Sequence, residues 1–384
     1  MDRNGHIRKL TAEAVGLLKE MVAIPSPSFS EDAVCSHICS WMTTRGIAHE
    51  RIGNNIVAGH ITDPSVPTLM LCAHMDTVSP AEGYDFDPYC PDYAVAADVI
   101  GGMTGKDVGQ DDIIAGLGSN DDGASAVSMI AAYRYFSSTD IMTRRNLILV
   151  LSCEEERSGK DGMTGLWGRR LCARGERLEG CTEVDYAIVG EPTGMRAATA
   201  ERGLLVIDAT AYGTSGHAAR NEGVNALYIA LEDIARLRSH NFDRISMRMG
   251  KVNLNVTQIN AGTAHNVIPD RCSFVIDIRP TELYANKEIL EELQAICSSS
   301  LKARNLANRS SATKEGSALQ KAAEELGIET FSSPTTSDWM RISCDAVKMG
   351  PGESSRSHRP NEFVFTDEIR NAIETYIAYI GHLQ

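Results

Sequence analysis

Three apolar runs in the chain each end in side chains that bind metals or carry out acid–base chemistry. The runs are 68–73, 146–152 and 185–190, with the sequences TLMLCA, NLILVLS and DYAIVG. A short continuous apolar run is typical of a strand that is buried on both faces of a parallel sheet. Helical patterns accompany these runs, among them 11–23, with Thr11 as its N-cap, and 123–136. The alternation predicts an α/β domain with a mainly parallel central sheet.

Polar residues follow the three predicted strands directly. The first strand runs into His74 and Asp76, the second into the triplet Glu154–Glu156, and the third into Glu191. In open α/β sheets the carboxyl ends of the strands are the edge where ligands bind. A further acidic turn contains Asp121, just before the second helical pattern. We therefore expect these side chains to gather at one edge of the sheet.

Such a gathering of carboxylates needs a positive charge. Near the C-terminus, the segment GPGESSRSHRP adds a second imidazole, that of His358. Carboxylate and imidazole ligands suit zinc or a similar divalent ion, and two ions that share one carboxylate can activate a water. Each motif alone has a structural explanation, such as a solvated turn for the triplet. Their joint occurrence at successive strand ends favours a metal site.

The middle of the chain has a different pattern. Strands are predicted at 204–213, 253–259 and 273–279, and amphipathic helices at 225–237 and 286–304. The order β-α-β-β-α is typical of a small ferredoxin-like α+β unit.

This unit is predicted to be an insertion. It would occupy residues 199–308, within a larger domain formed by 1–198 and 309–384. The segment 305–316 is polar and poor in helix formers, as a return linker would be.

Composition excludes several classes of function. The 384 residues carry a formal net charge of −14 and the sequence pI is about 5.2, which argues against nucleic acid or an anionic membrane as partner. Ten scattered cysteines without a CxxC pair indicate reduced thiols. The chain shows neither a secretory apolar region at its start nor an apolar run of about 18 residues, so we expect a cytoplasmic protein.

Beyond these patterns, the sequence resembles a known family. The motifs LCAHMDTV, GLGSNDDGA, EEERSG, IVGEPTG, SGHAARNEGVNAL and KMGPGESSRSH are similar to those of the dinuclear-zinc amidohydrolases, which include acetylornithine deacetylase and succinyl-diaminopimelate desuccinylase. The resemblance covers nearly the whole chain and is nearest to the branch that deacylates acetylornithine or succinylornithine. It implies a zinc-exopeptidase-like catalytic domain with a ferredoxin-like insertion that serves as lid and dimerisation domain.

The resemblance also implies two zinc ions per chain, with Co²⁺ or Mn²⁺ as possible substitutes. His74 and Glu191 would bind one ion, and Glu156 and His358 the other. Asp121 would bridge the two ions. The family's bridging aspartate is commonly followed by a cis peptide bond, which we expect after Asp121.

The glutamate triplet allows two assignments. The family usually shows Asp-Glu-Glu, in which the first glutamate is the general base and the second binds zinc. If Glu154 takes the place of the aspartate, Glu155 is the base that deprotonates a zinc-bridging water and Glu156 is the ligand. If the alignment shifts by one, Glu154 is the base and Glu155 the ligand. The resemblance further implies that Asp76 hydrogen-bonds the far nitrogen of His74.

Four more residues receive roles from the resemblance. His217 would act across a homodimer interface and stabilise the oxyanion that forms during hydrolysis. Asn266 would bind substrate, and Arg279 would pair with its α-carboxylate, although each could instead have a structural role. Arg356 could receive a succinyl carboxylate or order the loop beside His358.

The function that follows is removal of an acyl group from a small N-acyl amino acid. N-acetyl-L-ornithine deacetylation, in arginine biosynthesis, is the first hypothesis. The alternatives are desuccinylation of N-succinyl-ornithine or N-succinyl-diaminopimelate, and di- or aminopeptidase activity. A catalytically silent metal-binding homologue is the non-enzyme alternative, and the presence of every expected ligand disfavours it.

Overall fold

The computed structural model describes residues 3–138, 145–176, 178–220 and 222–383. The chain forms two compact units. The first comprises Met1–Thr199, Thr313–Phe331 and Ser337–Gln384, and the second comprises Ala200–Ala312 and Ser332–Thr336. The insertion expected at 199–308 differs from the main segment of the second unit by one residue at its start and four at its end.

The described residues form the following elements. The helices are α1 (Arg3–Val22), α2 (Asp32–Thr44), α3 (Tyr93–Thr104), α4 (Ala124–Ser137), α5 (Met163–Leu166), α6 (Ala226–Ser239), α7 (Asn286–Ile296), α8 (Ala318–Glu325) and α9 (Thr366–His382). The strands are β1 (Glu50–Ile52), β2 (Asn55–His60), β3 (Thr68–His74), β4 (Ile113–Ala115), β5 (Asn146–Ser152), β6 (Leu171–Ala173), β7 (Thr182–Val184), β8 (Tyr186–Val189), β9 (Ala197–Glu201), β10 (Leu205–Tyr212), β11 (Gly216–His217), β12 (Asn253–Ala261), β13 (Val267–Ile268), β14 (Arg271–Arg279), β15 (Ser300–Ala303), β16 (Ser311–Ala312), β17 (Thr330–Ser333), β18 (Asp345–Lys348) and β19 (Phe363–Phe365). In these ranges we find no helix with both the length and the apolar character that crossing a membrane requires.

Four parallel strands lie at the centre of the first unit. β5, β3, β8 and β18 lie side by side in that order. β2 and β1 extend the sheet with antiparallel pairing beyond β5, and β9 pairs antiparallel with β18. His74 lies opposite Ser152, so β3 and β5 end at the same level. The mainly parallel sheet that the sequence predicts is confirmed.

Both faces of this sheet are covered, which explains the continuous apolar runs. Along β3, Leu69 and Leu71 pack into the cluster that includes α1, α4 and α9, while Met70 and Cys72 pack into a cluster with Trp339. Successive side chains of a strand point to opposite faces, so both faces need apolar residues. Burial of each such side chain contributes about 1.5–3 kcal/mol.

The second unit has the ferredoxin-like order that the sequence predicts. Its elements follow one another as β10-α6-β12-β14-α7-β15, and the antiparallel sheet has the order β12-β14-β10-β15. Leu237 of α6 and Leu293 of α7 pack with Ile207 and Phe274 of the sheet in one apolar cluster. Both helices therefore cover the same face of the sheet.

Two predicted helix boundaries are wrong. α1 begins at Arg3, well before Thr11, and the Thr11 hydroxyl donates to the Ile7 carbonyl inside the helix instead of capping it. α7 ends at Ile296, and the residues predicted to continue it turn into β15. The turn after α7 is stabilised from another helix, because the Asp233 carboxylate of α6 binds the backbone there.

Asp233 provides a test of this stabilisation. Its buried carboxylate accepts hydrogen bonds from Ser298 N at 2.9 Å, Ser299 N at 2.8 Å and Ser299 Oγ at 2.6 Å. Asp233→Ala leaves these donors unsatisfied, so we expect the free energy of unfolding of the second unit to fall by about 2–4 kcal/mol in urea denaturation.

The neighbouring Glu232 is the matched control. Its side chain is 71% exposed and lies 3.7 Å from the guanidinium of Arg236, which also contacts Asp233. Because exposed ion pairs contribute little, Glu232→Ala is expected to change the unfolding free energy by less than about 0.5 kcal/mol. Equal effects of the two substitutions would contradict the role assigned to Asp233.

Candidate dinuclear metal site

His74 is held with one ring nitrogen free to face the site. Its Nδ1 lies 3.0 Å from the backbone carbonyl oxygen of Asp76 and 3.5 Å from that residue's Oδ1. An Nδ1–H that donates to a carbonyl leaves the lone pair on Nε2, as metal-binding histidines require. Nε2 lies 3.1 Å from Oδ1 of Asp121. The expected carboxylate contact of Asp76 is thus the longer of its two contacts with the ring.

The Asp76 carboxylate instead holds the backbone of the glutamate triplet. Its Oδ1 accepts from Glu155 N at 3.0 Å, and its Oδ2 accepts from Glu156 N at 3.2 Å and from Ser28 Oγ at 2.7 Å. Burial alone would raise the pKa of Asp76, but contact with His74 and these donors keeps it below its ordinary value. Asp76 therefore fixes the position of the backbone of the triplet after the end of β5.

Asp121 occupies the position that a bridging ligand needs. Its Oδ1 faces His74, while its Oδ2 lies 3.6 Å from Nε2 of His358. The peptide bond between Asp121 and Asp122 is cis, as expected. Glu362 fixes this turn, because its Oε1 accepts the backbone N–H of Asp121 at 2.9 Å. The two oxygens of one carboxylate thus face two different imidazoles.

The three glutamates of the triplet point to different places. Glu154 turns away: its Oε2 accepts Asp161 N at 3.0 Å, and its φ of 59° places it in the left-handed region. Glu156 Oε1 lies 3.0 Å from Nε2 of His358. Glu156 thus contacts His358, and the carboxylate of Glu155 lies within 4.8 Å of a ring nitrogen of His74, whereas the carboxylate of Glu154 is bound at Asp161.

Two overlapping groups of side chains could each hold an ion. His74, Glu155 and Glu191 form one group, in which the potential ligand atoms lie within 4.8 Å of one another. His74, Asp121 and Glu156 form the other group, by the same measure. Four of the five predicted ligands, all except His358, therefore belong to these groups, together with the predicted base Glu155.

The buried carboxyl groups of this cluster would be stabilised in their ionised form by added positive charge. Burial, followed by repulsion from neighbouring carboxylates, raises the pKa of Glu155 and of Glu191 well above their ordinary value. Contact with Glu156 raises the pKa of His358 to about 9. Carboxylate and imidazole donors of this kind suit zinc and similar divalent ions. The donor types present therefore fit a divalent metal centre.

Sequence reasoning missed the residues that support this cluster. Glu31, fully buried, accepts Glu154 N at 3.1 Å, and Glu362, also buried, accepts the backbone N–H groups of Asn120 and Asp121. Burial raises the pKa of Glu362 to about 8. The only local signal for Glu362 is its position four residues after His358. Glu31 gives no such signal.

Arg356 has a structural partner. Its guanidinium donates to both carboxylate oxygens of Glu368, at 2.7 and 3.1 Å, and stacks over the ring of Phe363 at 4.4 Å. Of the two roles open to Arg356 from the sequence, these contacts favour ordering of the loop that carries His358.

Three predicted residues lie in the second unit: His217 in β11, Asn266 just before β13, and Arg279 at the end of β14. His217 pairs with Val267, and Asn266 lies beside it, accepting Ala218 N at 3.0 Å through its carbonyl oxygen. His217 and Asn266 are both exposed. Arg279, at the far end of β14, donates to the carboxylate of its neighbour Asp277 at 2.9 and 3.2 Å. The structure groups the first two residues and separates Arg279 from them.

Comparisons with known proteins agree with this architecture. A family model described as Peptidase dimerisation domain, from the M20 family, matches residues 199–305. Succinyl-diaminopimelate desuccinylase of Xanthomonas campestris pv. campestris (strain B100) is 24% identical over 92% of this chain and 94% of its own length. Acetylornithine deacetylase of Proteus mirabilis (strain HI4320) is 25% identical over 91% of each chain. The chain is therefore similar to members of the M20 peptidase family.

Other matches agree with this architecture. A second family model, described as Peptidase family M28, matches residues 55–185, which carry β2 to β7. The YXEP protein of Bacillus subtilis, described as a dinuclear metal binding peptidase from the M20 family, has a TM-score of 0.70 with 15% identity over 98% of both chains. At 15% identity this similarity shows that the two proteins share a fold, and nothing more. The chain is a metal-dependent amide hydrolase, which its similarity to curated hydrolases over nearly its whole length supports.

Proposed function

We propose that this chain hydrolyses the amide bond of a small N-acyl amino acid, with N-acetyl-L-ornithine as the first candidate substrate. The observation that carries the proposal is the placement of Asp121 between His74 and His358, with Glu155 and Glu156 beside them. A deacylase needs paired ions and an adjacent carboxylate base, and this cluster offers ligands for both ions and a base candidate.

Glu155 has the central role in the proposed mechanism. Two divalent ions, when bound, would polarise the amide carbonyl and lower the pKa of a water. Asp76 fixes the backbone of Glu155. Glu155 then accepts the proton of the attacking water and delivers a proton to the nitrogen of the leaving amine. The residues that would hold the ions are His74, Asp121, Glu156, Glu191 and His358. Glu154 takes no part, because its carboxylate is bound at Asp161.

A homodimer with composite sites forms part of the proposal. β14 separates Arg279 from the end of the strand near His217 by eight residues, or about 27 Å at about 3.4 Å per residue. That separation exceeds the length of a small amino acid derivative, which favours contacts of Arg279 and His217 with different substrate molecules. We assign Arg279 to the substrate of its own chain, and His217 with Asn266 to the site of the partner subunit.

The surface of the second unit supports such a partner. β12 has a free edge within the described sheet, since it pairs with β14 alone, and Ile259 on it is 44% exposed. Tyr228 on α6 is 64% exposed. A free strand edge and exposed aromatic residues are typical of surfaces that meet another chain.

Complementation between two inactive variants tests the composite site. Glu155→Gln and His217→Ala should each be inactive alone. In a mixed dimer, one of the two sites combines an intact Glu155 with an intact His217 from the partner, so co-expression should restore about a quarter of the wild-type activity. Hydrolysis of N-acetyl-L-ornithine by the co-purified variants is the measurement. No recovery, with mixed dimers demonstrated by two affinity tags, would show that His217 does not act across the interface.

Desuccinylation is the second candidate function. It is favoured by the Xanthomonas relative, which matches over nearly its whole length. Release of free amine is measured with N-acetyl-L-ornithine, N-succinyl-L-ornithine, N-succinyl-L,L-diaminopimelate and a set of dipeptides, each with and without a chelator. Chelator-sensitive hydrolysis of the acetyl compound supports the first candidate. Hydrolysis of succinyl compounds alone would replace it with the second, and hydrolysis of dipeptides alone would reject both.

The cellular setting is part of the same proposal. A place in arginine biosynthesis follows only if N-acetyl-L-ornithine is the substrate. All ten cysteines are free thiols, five of them fully enclosed in the core as Cys35, Cys72, Cys172 and Cys272 at 0% exposure and Cys153 at 2%. Free thiols fit a reducing compartment, and we propose a cytoplasmic location on that ground. Zinc is the proposed ion because the donors are carboxylates and imidazoles.

A further inference from the structure

One aromatic residue beside the metal site has an unusual backbone conformation. Phe29 has a φ of 74°, in the left-handed region. For a bulky side chain such a φ is an outlier, and it persists only where the surroundings enforce it. The other residues with positive φ that are not glycine include Glu154 and His358, both part of the site region. Backbone outliers of this kind cluster at functional sites.

The turn that carries Phe29 is fastened to the glutamate triplet by two buried carboxylates. Oε1 of Glu31 accepts the backbone N–H of Phe29 at 2.8 Å and that of Glu154 at 3.1 Å. Oδ2 of Asp76, which also binds the triplet backbone, accepts from Ser28 Oγ at 2.7 Å. Glu31 and Asp76 are both 0% exposed. The backbone of Phe29 is therefore fixed with respect to the proposed general base.

The side chain of Phe29 does not contribute to the core. It is 61% exposed, and it belongs to none of the apolar clusters that the described residues form. Core packing thus offers no gain that would offset its unfavourable backbone conformation. An exposed aromatic ring carried on a backbone that is fixed next to a polar site is suited to contact the apolar part of a ligand.

We propose that Phe29 is a specificity-determining residue whose ring contacts an aliphatic arm of the substrate next to the scissile amide. The inference rests on the proposed function, since it assumes an N-acyl amino acid in the site. Such a substrate has two aliphatic arms, the amino acid side chain and the acyl chain. Both present the same chemistry to the ring. The test therefore contains two series: N-acetylglycine against N-acetyl-L-norvaline varies the amino acid side chain, and N-acetylglycine against N-butyrylglycine varies the acyl chain.

Two substitutions of Phe29 separate the ring from the backbone conformation. Phe29→Asn removes the ring but suits the backbone, because asparagine adopts positive φ more readily than most residues. Phe29→Tyr is the matched control that keeps an aromatic face. For the wild type and both variants, kcat and KM are measured with N-acetylglycine, N-acetyl-L-norvaline and N-butyrylglycine after loading with zinc, and Tm is measured by calorimetry.

The expected result is a loss of selectivity without a loss of fold. In one of the two series, Phe29→Asn should lower the preference for the longer arm over N-acetylglycine by about tenfold, mainly through KM. Phe29→Tyr should keep that preference within about threefold. The Tm of Phe29→Asn should equal or exceed that of the wild type, because the backbone strain is relieved.

Three outcomes would overturn the inference. An unchanged preference in both series would show that the ring does not touch the substrate. A Tm that falls by more than about 5 °C in Phe29→Asn would give the ring a structural role instead. If the zinc-loaded wild type hydrolyses none of these compounds and neither ornithine derivative, the proposed function fails and the inference fails with it.

Discussion

Glu155→Gln is expected to lower kcat by about 10²–10⁴-fold while the protein still binds two metal ions per chain. Glutamine keeps the size and the hydrogen-bonding oxygen of the side chain but cannot accept the proton of the attacking water. The backbone of Glu155 remains bound by Asp76, so the turn should keep its shape. Steady-state kinetics on N-acetyl-L-ornithine and metal analysis of the same sample are the measurements.

Glu154→Gln is the matched control for this prediction. Its carboxylate accepts the backbone N–H of Asp161, an interaction that a glutamine oxygen can maintain. We therefore expect its kcat to remain within a few-fold of the wild type, on the order of 2–5-fold. The reverse pattern, an inactive Glu154→Gln and an active Glu155→Gln, would establish the shifted assignment of the triplet and contradict the proposed mechanism.

Asp121→Ala is expected to lower the metal content from two ions per chain to at most one. Its two carboxylate oxygens face His74 and His358 separately, so its removal takes one ligand from each proposed ion. Activity should fall more than about 100-fold, since loss of a group that merely supports a ligand already costs about 10–100-fold. Elemental analysis and titration calorimetry of the variant with zinc measure the change.

The neighbouring Asp122 controls for a local disturbance of the same turn. It is buried, and its carboxylate lies beside Gly190, where an added Cβ would be 2.8 Å from Asp122 Oδ2. Asp122→Asn preserves the shape of the side chain, so we expect two ions per chain. Two bound ions in Asp121→Ala as well would show that Asp121 does not bridge the site.

The parts of the fold that local patterns determine were predictable from the sequence. β3 and β5 are buried on both faces, which makes them continuous apolar runs with evident ends. The end of α7 was not predictable, because Asp233, which stabilises the turn after it, lies 65 residues away in sequence. The start of α1 was missed because Thr11 is a good capping residue that in the structure bonds within the helix.

The candidate site was also predictable in part: the metal ligands were found from the sequence, and the carboxylates that support them were not. Metal ligands stand in recognisable motifs, and the ends of neighbouring parallel strands bring them together, as the alignment of His74 with Ser152 shows. The supporting carboxylates act across the chain: Glu31 and Glu154 are 123 residues apart, and Glu362 and Asp121 are 241 residues apart. No local pattern encodes such a pairing. The ligand motifs also do not reveal the acyl group of the substrate, because the same ions and base can hydrolyse an acetyl amide or a succinyl amide.

Stoichiometric reactivation tests the central claim most directly. The wild-type protein is stripped of metal with a chelator, and zinc is returned in steps while release of ornithine from N-acetyl-L-ornithine is followed. The proposed mechanism predicts that hydrolysis is absent in the stripped protein and reaches its maximum at two zinc ions per chain. Full activity without metal, or no hydrolysis of this or any other N-acyl amino acid with two zinc ions bound, would contradict it.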